Sequence, residues 1–359
     1  MIWWLPIEPL EQRYTAQMDR WVQTALNRTG RAYVPIYGTK EYAEIENGEW
    51  LDTIGSARWK YSQLTQLTEL CGKGTIQSGD TILCGDVWFC GIEGIKLISE
   101  LMGLNIRFAG WHYAGCFDSH DLYAKTLSRW GPKYELSLLE GVFDAVAFGS
   151  RFHSSFVSRH ACPTWQSVSC GLAWDHDEVS TYQQPMSVEK NKTVVFNHRW
   201  SNEKRWYEFC YLARLLAHKS DWSFVYSTNG LVSETVSANC SHSNITIVQH
   251  GSKSAYYDWL SKQGIVWSGA DQETFGYSFM EAVALGLRVV APNRAAYPDH
   301  FTKAGLNPLK YLYGVDDPFG CSSVLAAMNA HETNADAGLI PSVVSSQYQY
   351  AIEEFLEAI

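Results

Sequence analysis

Short runs rich in β-branched and aromatic residues alternate along this chain with stretches whose apolar positions recur every three or four residues. The short runs predict strands at Ile2–Leu5, Ala32–Ile36, Thr81–Cys84, Asn105–Ala109, Ala145–Gly149 and Gln166–Cys170 in the first half. In the second half they predict strands at Thr193–Asn197, Ser223–Ser227, Ile245–Val248, Ile265–Ser268 and Arg288–Ala291. Helices are expected over Thr15–Leu26, Gly91–Leu101, Trp206–Ala217, Ser254–Lys262, Ser278–Ala284 and Gln347–Ala358. Regular alternation of strand and helix marks βα units around parallel sheets, so the expected class is α/β. Between the halves, Trp174–Lys192 is polar and aperiodic, as an interdomain connection is. The expected organisation is therefore two Rossmann-like, doubly wound domains, 1–173 and 193–340, joined by linker 174–192 and facing a cleft. A terminal segment, 341–359, carries a helix that is a candidate to cross back onto the first domain. Ligands of doubly wound sheets sit at the carboxyl ends of the strands, which makes the loops there the places to search.

Composition sharpens this picture. A length of 359 residues suits two domains, and 46% hydrophobic against 18% charged residues excludes a disordered chain. With 28 Lys and Arg against 38 Asp and Glu, the net charge of −10 argues against charge-driven binding to nucleic acid or anionic membrane. A local basic groove stays compatible with it. The 9 cysteines are scattered without a Cys-x-x-Cys pair, so neither a disulfide framework nor a zinc site is expected. Reduced thiols fit a cytoplasmic protein. No apolar run reaches the roughly 18 residues of a membrane span. The short apolar run Ile2–Pro6, soon followed by Glu8 and Glu11, does not suggest a signal peptide.

Two segments carry the chemistry. In Gly269–Glu281, Glu273 and Glu281 bracket Phe275-Gly276, in a loop between a strand end at Ser268 and a helix starting near Ser278. Backbone N–H groups at such a loop and helix N-terminus suit an anion, and the flanking carboxylates suit hydroxyls. A ligand joining phosphate to sugar needs both. In Phe196–Lys204, Arg199 and Lys204 lie just past a strand end, where two cations suit a diphosphate and would neutralise it as a leaving group.

These motifs resemble family 4 of the GT-B glycosyltransferases. The family carries Glu-x7-Glu, here Glu273 and Glu281, an aromatic-Gly pair inside it, here Phe275-Gly276, and Arg-x4-Lys upstream, here Arg199 and Lys204. The resemblance covers about 190–300. The Asn197-His-Arg-Trp200 run and the Phe275–Pro298 stretch are also similar to glycosyltransferases that mannosylate queuosine in tRNA. The opening Trp3–Leu10 looks like bacteriophage DNA-modifying glycosyltransferases and departs from the Gly-rich loop of family 4.

The resemblance implies retaining transfer of a sugar from a nucleotide sugar to a hydroxyl, with a UDP-sugar as the expected donor and a GDP-sugar as the alternative. Arg199 and Lys204 would hold the diphosphate, Glu281 the ribose, and Glu273 the sugar ring, helped by the amides of Phe275, Gly276 and Tyr277. Asn197 joins the donor-binding set. His112, past a strand in the first half, would contact the donor sugar. No enzymic nucleophile, cofactor or metal is implied.

The remaining candidates come from position. His250 ends a strand where a nucleotide base can stack. Asp86 and Tyr113 follow strands, and Arg13-Tyr14 and Arg58-Trp59-Lys60-Tyr61 interleave cations with aromatics, so Asp86, Tyr113, Arg13 and Arg58 form the acceptor set. The alternatives are a capped core histidine for His112, a strand-end cap for Asp86 and an ordinary helix face for Arg58–Tyr61. The acceptor expected first is a 5-hydroxymethylpyrimidine, such as hydroxymethylcytosine, in phage DNA, which would place the protein in the host cytoplasm. Queuosine tRNA, a small molecule or a glycan is the second acceptor class. A catalytically silent module that binds nucleotide sugars is the competing class of function, and the oligomeric state is left open.

Overall fold

The computed structural model describes residues 1–11, 13–40, 52–185, 190–216, 221–333 and 335–359. Their strands are β1 (Ile2–Leu5), β2 (Tyr33–Pro35), β3 (Thr81–Cys84), β4 (Arg107–His112), β5 (Ala145–Phe148) and β6 (Gln166–Val168) in one sheet. A second sheet holds β7 (Thr193–Phe196), β8 (Ser223–Thr228), β9 (Ile245–Gln249), β10 (Ile265–Trp267) and β11 (Arg288–Val290). All the strand pairings within both sheets are parallel. Helices cover such sheets on both faces, which is why β1, β3 and β5 are buried at every position and read as continuous apolar runs.

The described residues form two compact units. One is drawn from 1–40, 52–174 and 350–359, the other from 175–349. In the first, the strand order is β2-β1-β3-β4-β5-β6, so the direction of winding reverses between β1 and β3. The C-terminal helix Ala351–Ala358 belongs to this unit. Its Phe355 packs edge-on against Trp111 at 4.9 Å, and Arg31 donates to the Leu356 carbonyl at 2.6 Å. In the second unit the order is β11-β10-β7-β8-β9, and the reversal falls between β7 and β10. The aromatic excess is largely core: Trp4, Trp21, Trp59, Trp111, Trp174 and Trp267 are all fully buried.

Two elements differ from the sequence expectation. The strand expected over Asn105–Ala109 lies further along, at Arg107–His112. Gly110 looks like a strand end in sequence, yet it sits inside the ladder, where a Cβ would come within 3.0 Å of the Cys84 carbonyl oxygen. The helix Thr53–Gly72 was not among the predicted helices, although a helix face was the alternative given for Arg58–Tyr61. Its buried positions are Gly55, Trp59, Gln63, Leu67 and Cys71, an every-fourth-residue stripe in which a glycine and a glutamine hide the apolar periodicity. Among the described residues no helix is long and apolar enough to cross a membrane, and all nine cysteines are free thiols.

Candidate functional site

In an open parallel sheet, the loops leaving the two strands at the winding reversal diverge to opposite faces and leave a crevice at the strand ends. In the second unit these are the loop after β7, carrying Asn197–Arg205, and the loop after β10, carrying Ser268–Gly276. Strand order therefore brings together the two segments singled out in the sequence.

Lys204 links the loops. Its Nζ donates to Glu273 Oε1 at 2.8 Å, to the Gln272 carbonyl, and to Gln272 Oε1 at 3.4 Å. The side chains of the pair are 8% and 12% exposed. His198 Nδ1 also lies 3.4 Å from Glu273 Oε1. Burial works to raise the Glu273 carboxyl, but Lys204 and His198 hold it below the ordinary range, so it is an anion at neutral pH. Burial pushes His198 down to about 4, which leaves it neutral. Arg199 donates one bond to Glu203 at 3.2 Å, and its side chain is 40% exposed. It keeps most of a five-donor fork for another partner.

The loop after β10 is held from several sides. Arg205, in the left-handed region at φ 57°, and Arg294 both pair with Asp271. Asp271 N–H donates to the Glu203 carbonyl at 2.8 Å, and Ala296 N–H to the Glu273 carbonyl at 3.2 Å. His300 is fully buried, its Nε2 2.7 Å from the Phe275 carbonyl and its Nδ1 2.8 Å from the Tyr348 hydroxyl. Burial pushes it down to about 4, so the neutral ring donates to the carbonyl and accepts from the tyrosine. Gly276 precedes the helix Tyr277–Ala284 at φ 76°, a conformation that a Cβ would strain. The Phe275 ring is buried against His300 and Tyr348, so only its backbone is left to meet a ligand.

Glu281 lies in that helix, buried, and accepts from Lys253 and from the Tyr257 hydroxyl at 2.9 Å. Lys253 also lies 4.9 Å from the Tyr256 ring centroid. Asn197 Nδ2 donates to the Tyr256 hydroxyl at 2.8 Å, and its carbonyl accepts from Ser278 at 2.9 Å, so this cluster abuts the first. Lys253, Tyr256, Tyr257, His198, Arg294 and His300 were missed in the sequence. Only His198, inside the Asn-His-Arg-Trp run, carried any signal there. His250, expected to stack a base, lies just past β9, largely buried beside Tyr256 and Trp259, with Nε2 3.1 Å from Ser227 Oγ.

In the first unit, His112 is the last residue of β4, at the carboxyl end of the strand as expected. Because β4 runs on to pair His112 with Phe148, the side chain is 1% exposed. Its Nε2 lies 2.9 Å from Glu135 Oε1 and its Nδ1 3.0 Å from His153 Nε2. Glu135 also accepts from Cys116 N–H at 2.6 Å. This is the arrangement of a satisfied core histidine.

Asp86 follows β3 at the winding reversal of the first sheet and accepts from Trp88 N–H at 3.0 Å. Burial raises its carboxyl, against the opposing pull of Lys60. Tyr113 is half-buried and stacks on Tyr14 at 5.3 Å. Arg13 is half-buried just before the helix Tyr14–Arg28, and Arg58 is exposed on the helix Thr53–Gly72. Within Arg58–Tyr61 the fully buried Trp59 donates to the Pro6 carbonyl at 2.9 Å, so it is a core ring with no face for a base.

No family model and no curated protein matches the sequence. Solved structures do match, along nearly the whole chain. Sucrose-phosphate synthase from Thermosynechococcus elongatus is similar with a TM-score of 0.67 at 12% identity, over 99% of this chain and 95% of its own. Anabaena HepE, in complex with UDP-glucose, gives 0.63 at 12% identity, over 100% and 99%. A glycosyltransferase from Rickettsia africae gives 0.62 at 12% identity, over 99% and 93%. The fold is α/β, that of the GT-B glycosyltransferases.

Proposed function

We propose that the protein is a retaining glycosyltransferase that takes a sugar from a nucleotide sugar, with a UDP-sugar as donor. The observation that carries this reading is the Lys204–Glu273 pair at the winding reversal of the second sheet, with Arg199 beside it and the Gly276-capped helix after it. Lys204 and Arg199 supply the two positive charges that a departing diphosphate needs. Charge-assisted hydrogen bonds of this kind contribute about 1.5–3 kcal/mol each. Glu273 accepts from sugar hydroxyls beside the amides of Phe275, Gly276 and Tyr277. Glu281, held by Lys253 and Tyr257, accepts from the ribose, with Asn197 alongside.

In the transfer, the bond from the anomeric carbon to the diphosphate oxygen breaks and one to the acceptor oxygen forms on the same face. The acceptor proton passes to the departing phosphate, so no enzymic nucleophile takes part. Neutralisation by Lys204 and Arg199 makes a metal dispensable. HepE, solved with UDP and with UDP-glucose, supports uridine over guanosine as the donor base.

The test is transfer from radiolabelled UDP-glucose and GDP-mannose in the wild-type protein and in Glu273→Gln and Lys204→Ala. Loss of at least about a hundredfold in both variants, with the fold intact, is expected, since each removes roughly 3 kcal/mol of charged contact. Full activity in both overturns the assignment, and nucleotide binding without turnover in the wild type favours a silent binding module.

The acceptor-binding set belongs to the first unit. Among the candidate acceptors the small hydroxyl compound has better support than DNA or tRNA, because Trp59 is withdrawn from the cation–aromatic run that a nucleic-acid base would use, leaving Tyr61 as the only exposed ring there.

A further inference from the structure

At the winding reversal of the first sheet, the loops after β1 and β3 run against each other. Gly85 N–H donates to the Leu5 carbonyl at 2.8 Å, and a Cβ on Gly85 would fall 2.9 Å from Ile7 N. The loop after β1 is anchored from behind: Trp59 and Gln63 donate to the Pro6 carbonyl at 2.9 and 3.0 Å. This fixes Glu8, two residues on. Glu8 is 3% exposed, and its Oε1 is buried without a hydrogen-bond partner among the described residues. Asp86, at the end of the neighbouring strand, is within electrostatic reach of Glu8. One Asp86 oxygen takes the Trp88 N–H. Half-buried Tyr123 is within electrostatic reach of Asp86 and stacks on Trp88 at 4.5 Å.

A buried carboxylate oxygen lacking a donor is costly, and such groups in folded proteins ordinarily have a partner. Lys60 makes no hydrogen bond to Glu8 Oε1: its ammonium donates to the Trp88 carbonyl at 2.6 Å, and its charge acts on Asp86. What suits two neighbouring carboxylates is a molecule rich in hydroxyl donors and free of negative charge. A phosphodiester brings acceptors and further negative charge, and is repelled.

We propose that Glu8 and Asp86 form the acceptor subsite, and that the acceptor is a neutral polyhydroxyl compound, a sugar or cyclitol, bound through hydroxyl donors to both carboxylates. This rests on the sugar-transfer reading above and names its acceptor class.

The test is saturation-transfer NMR of the full chain with methyl glucoside, myo-inositol and trehalose, with and without UDP. Duplex DNA carrying 5-hydroxymethylcytosine is titrated in parallel. Wild-type protein is expected to bind at least one polyol, and Glu8→Gln and Asp86→Asn each to weaken it about tenfold, the loss of one charged hydrogen bond. Circular dichroism and Asp86→Glu, which keeps the charge and restores part of the affinity, separate this from misfolding. Three results overturn the proposal: no polyol bound by the wild type, unchanged polyol affinity in both carboxamide variants, or transfer to the DNA and to no polyol. UDP affinity measured on the same samples reports the donor site by itself. Its failure overturns the donor reading, while polyol binding without UDP still decides the acceptor site.

Discussion

Replacing Lys204 by methionine leaves Glu273 as a mostly buried anion whose main counter-charge is gone. At 2.8 Å the pair attracts by about 6 kcal/mol at an effective dielectric near 20. Part of this offsets the desolvation of both groups. Removing one partner of a buried pair costs about 3–5 kcal/mol, and the low end applies here because both side chains keep some exposure, 8% and 12%. Lys204→Met is therefore expected to destabilise the second unit by roughly 3 kcal/mol at pH 8.

Glu273→Gln lowers stability too, but the double variant recovers at least about 2 kcal/mol of the summed losses, since neither charge is then stranded. The single Lys204→Met penalty shrinks toward pH 5. In wild type the Glu273 carboxyl sits below its ordinary range. Without Lys204 it rises above that range, so the folded variant takes up a proton that its unfolded chain does not, and gains stability as pH falls. Hydrogen exchange by mass spectrometry on peptides spanning β7 and β10 reads the second unit without assuming that both units unfold together. Additive single and double losses, or a pH-independent Lys204→Met penalty, would refute the reasoning.

Two further outcomes follow from other buried histidines. His198 and His300 are each held near 4, so the unfolded chain binds protons from about pH 6.5 downward while the folded one does not. Stability of the second unit is thus full above about pH 7 and falls by roughly 3 kcal/mol per histidine as pH drops to about 4. Urea unfolding that is flat across this range would contradict it. His112→Ala strands Glu135 and His153 in the first-unit core and is expected to cost roughly 3 kcal/mol there while UDP-glucose affinity stays within about twofold. A large loss of donor affinity at unchanged stability, seen by calorimetry, would favour the donor-contact role for His112.

What could be read from the sequence and what could not divide along physical lines. Strands buried on both faces announce themselves as apolar runs, so β1 and β3 were legible to the residue. The loop pair bearing Lys204 and Glu273 was legible because its spacing resembles a known motif and follows strand ends. The helix Thr53–Gly72 was not, because its buried stripe includes Gly55 and Gln63, whose burial depends on what they touch. Gln63 is tolerated there because it donates to the Pro6 and Ile36 carbonyls. His112 could be placed near a strand end, but whether it faced a ligand or the core turned on three further residues of β4 pairing with β5.

Local periodicity records which way a side chain points relative to its own backbone, and that much a sequence determines by itself. Partnership across 28, 69 or 77 residues, as in Lys253–Glu281, Lys204–Glu273 and Trp3–Asp80, depends on strand order. So does the approach of the loops that bear Glu8 and Asp86, where Gly85 N–H donates to the Leu5 carbonyl. Strand order is chosen by the packing of the whole unit, and for that reason only the tertiary structure decided which charges are paired and which carboxylate oxygen is left for a ligand.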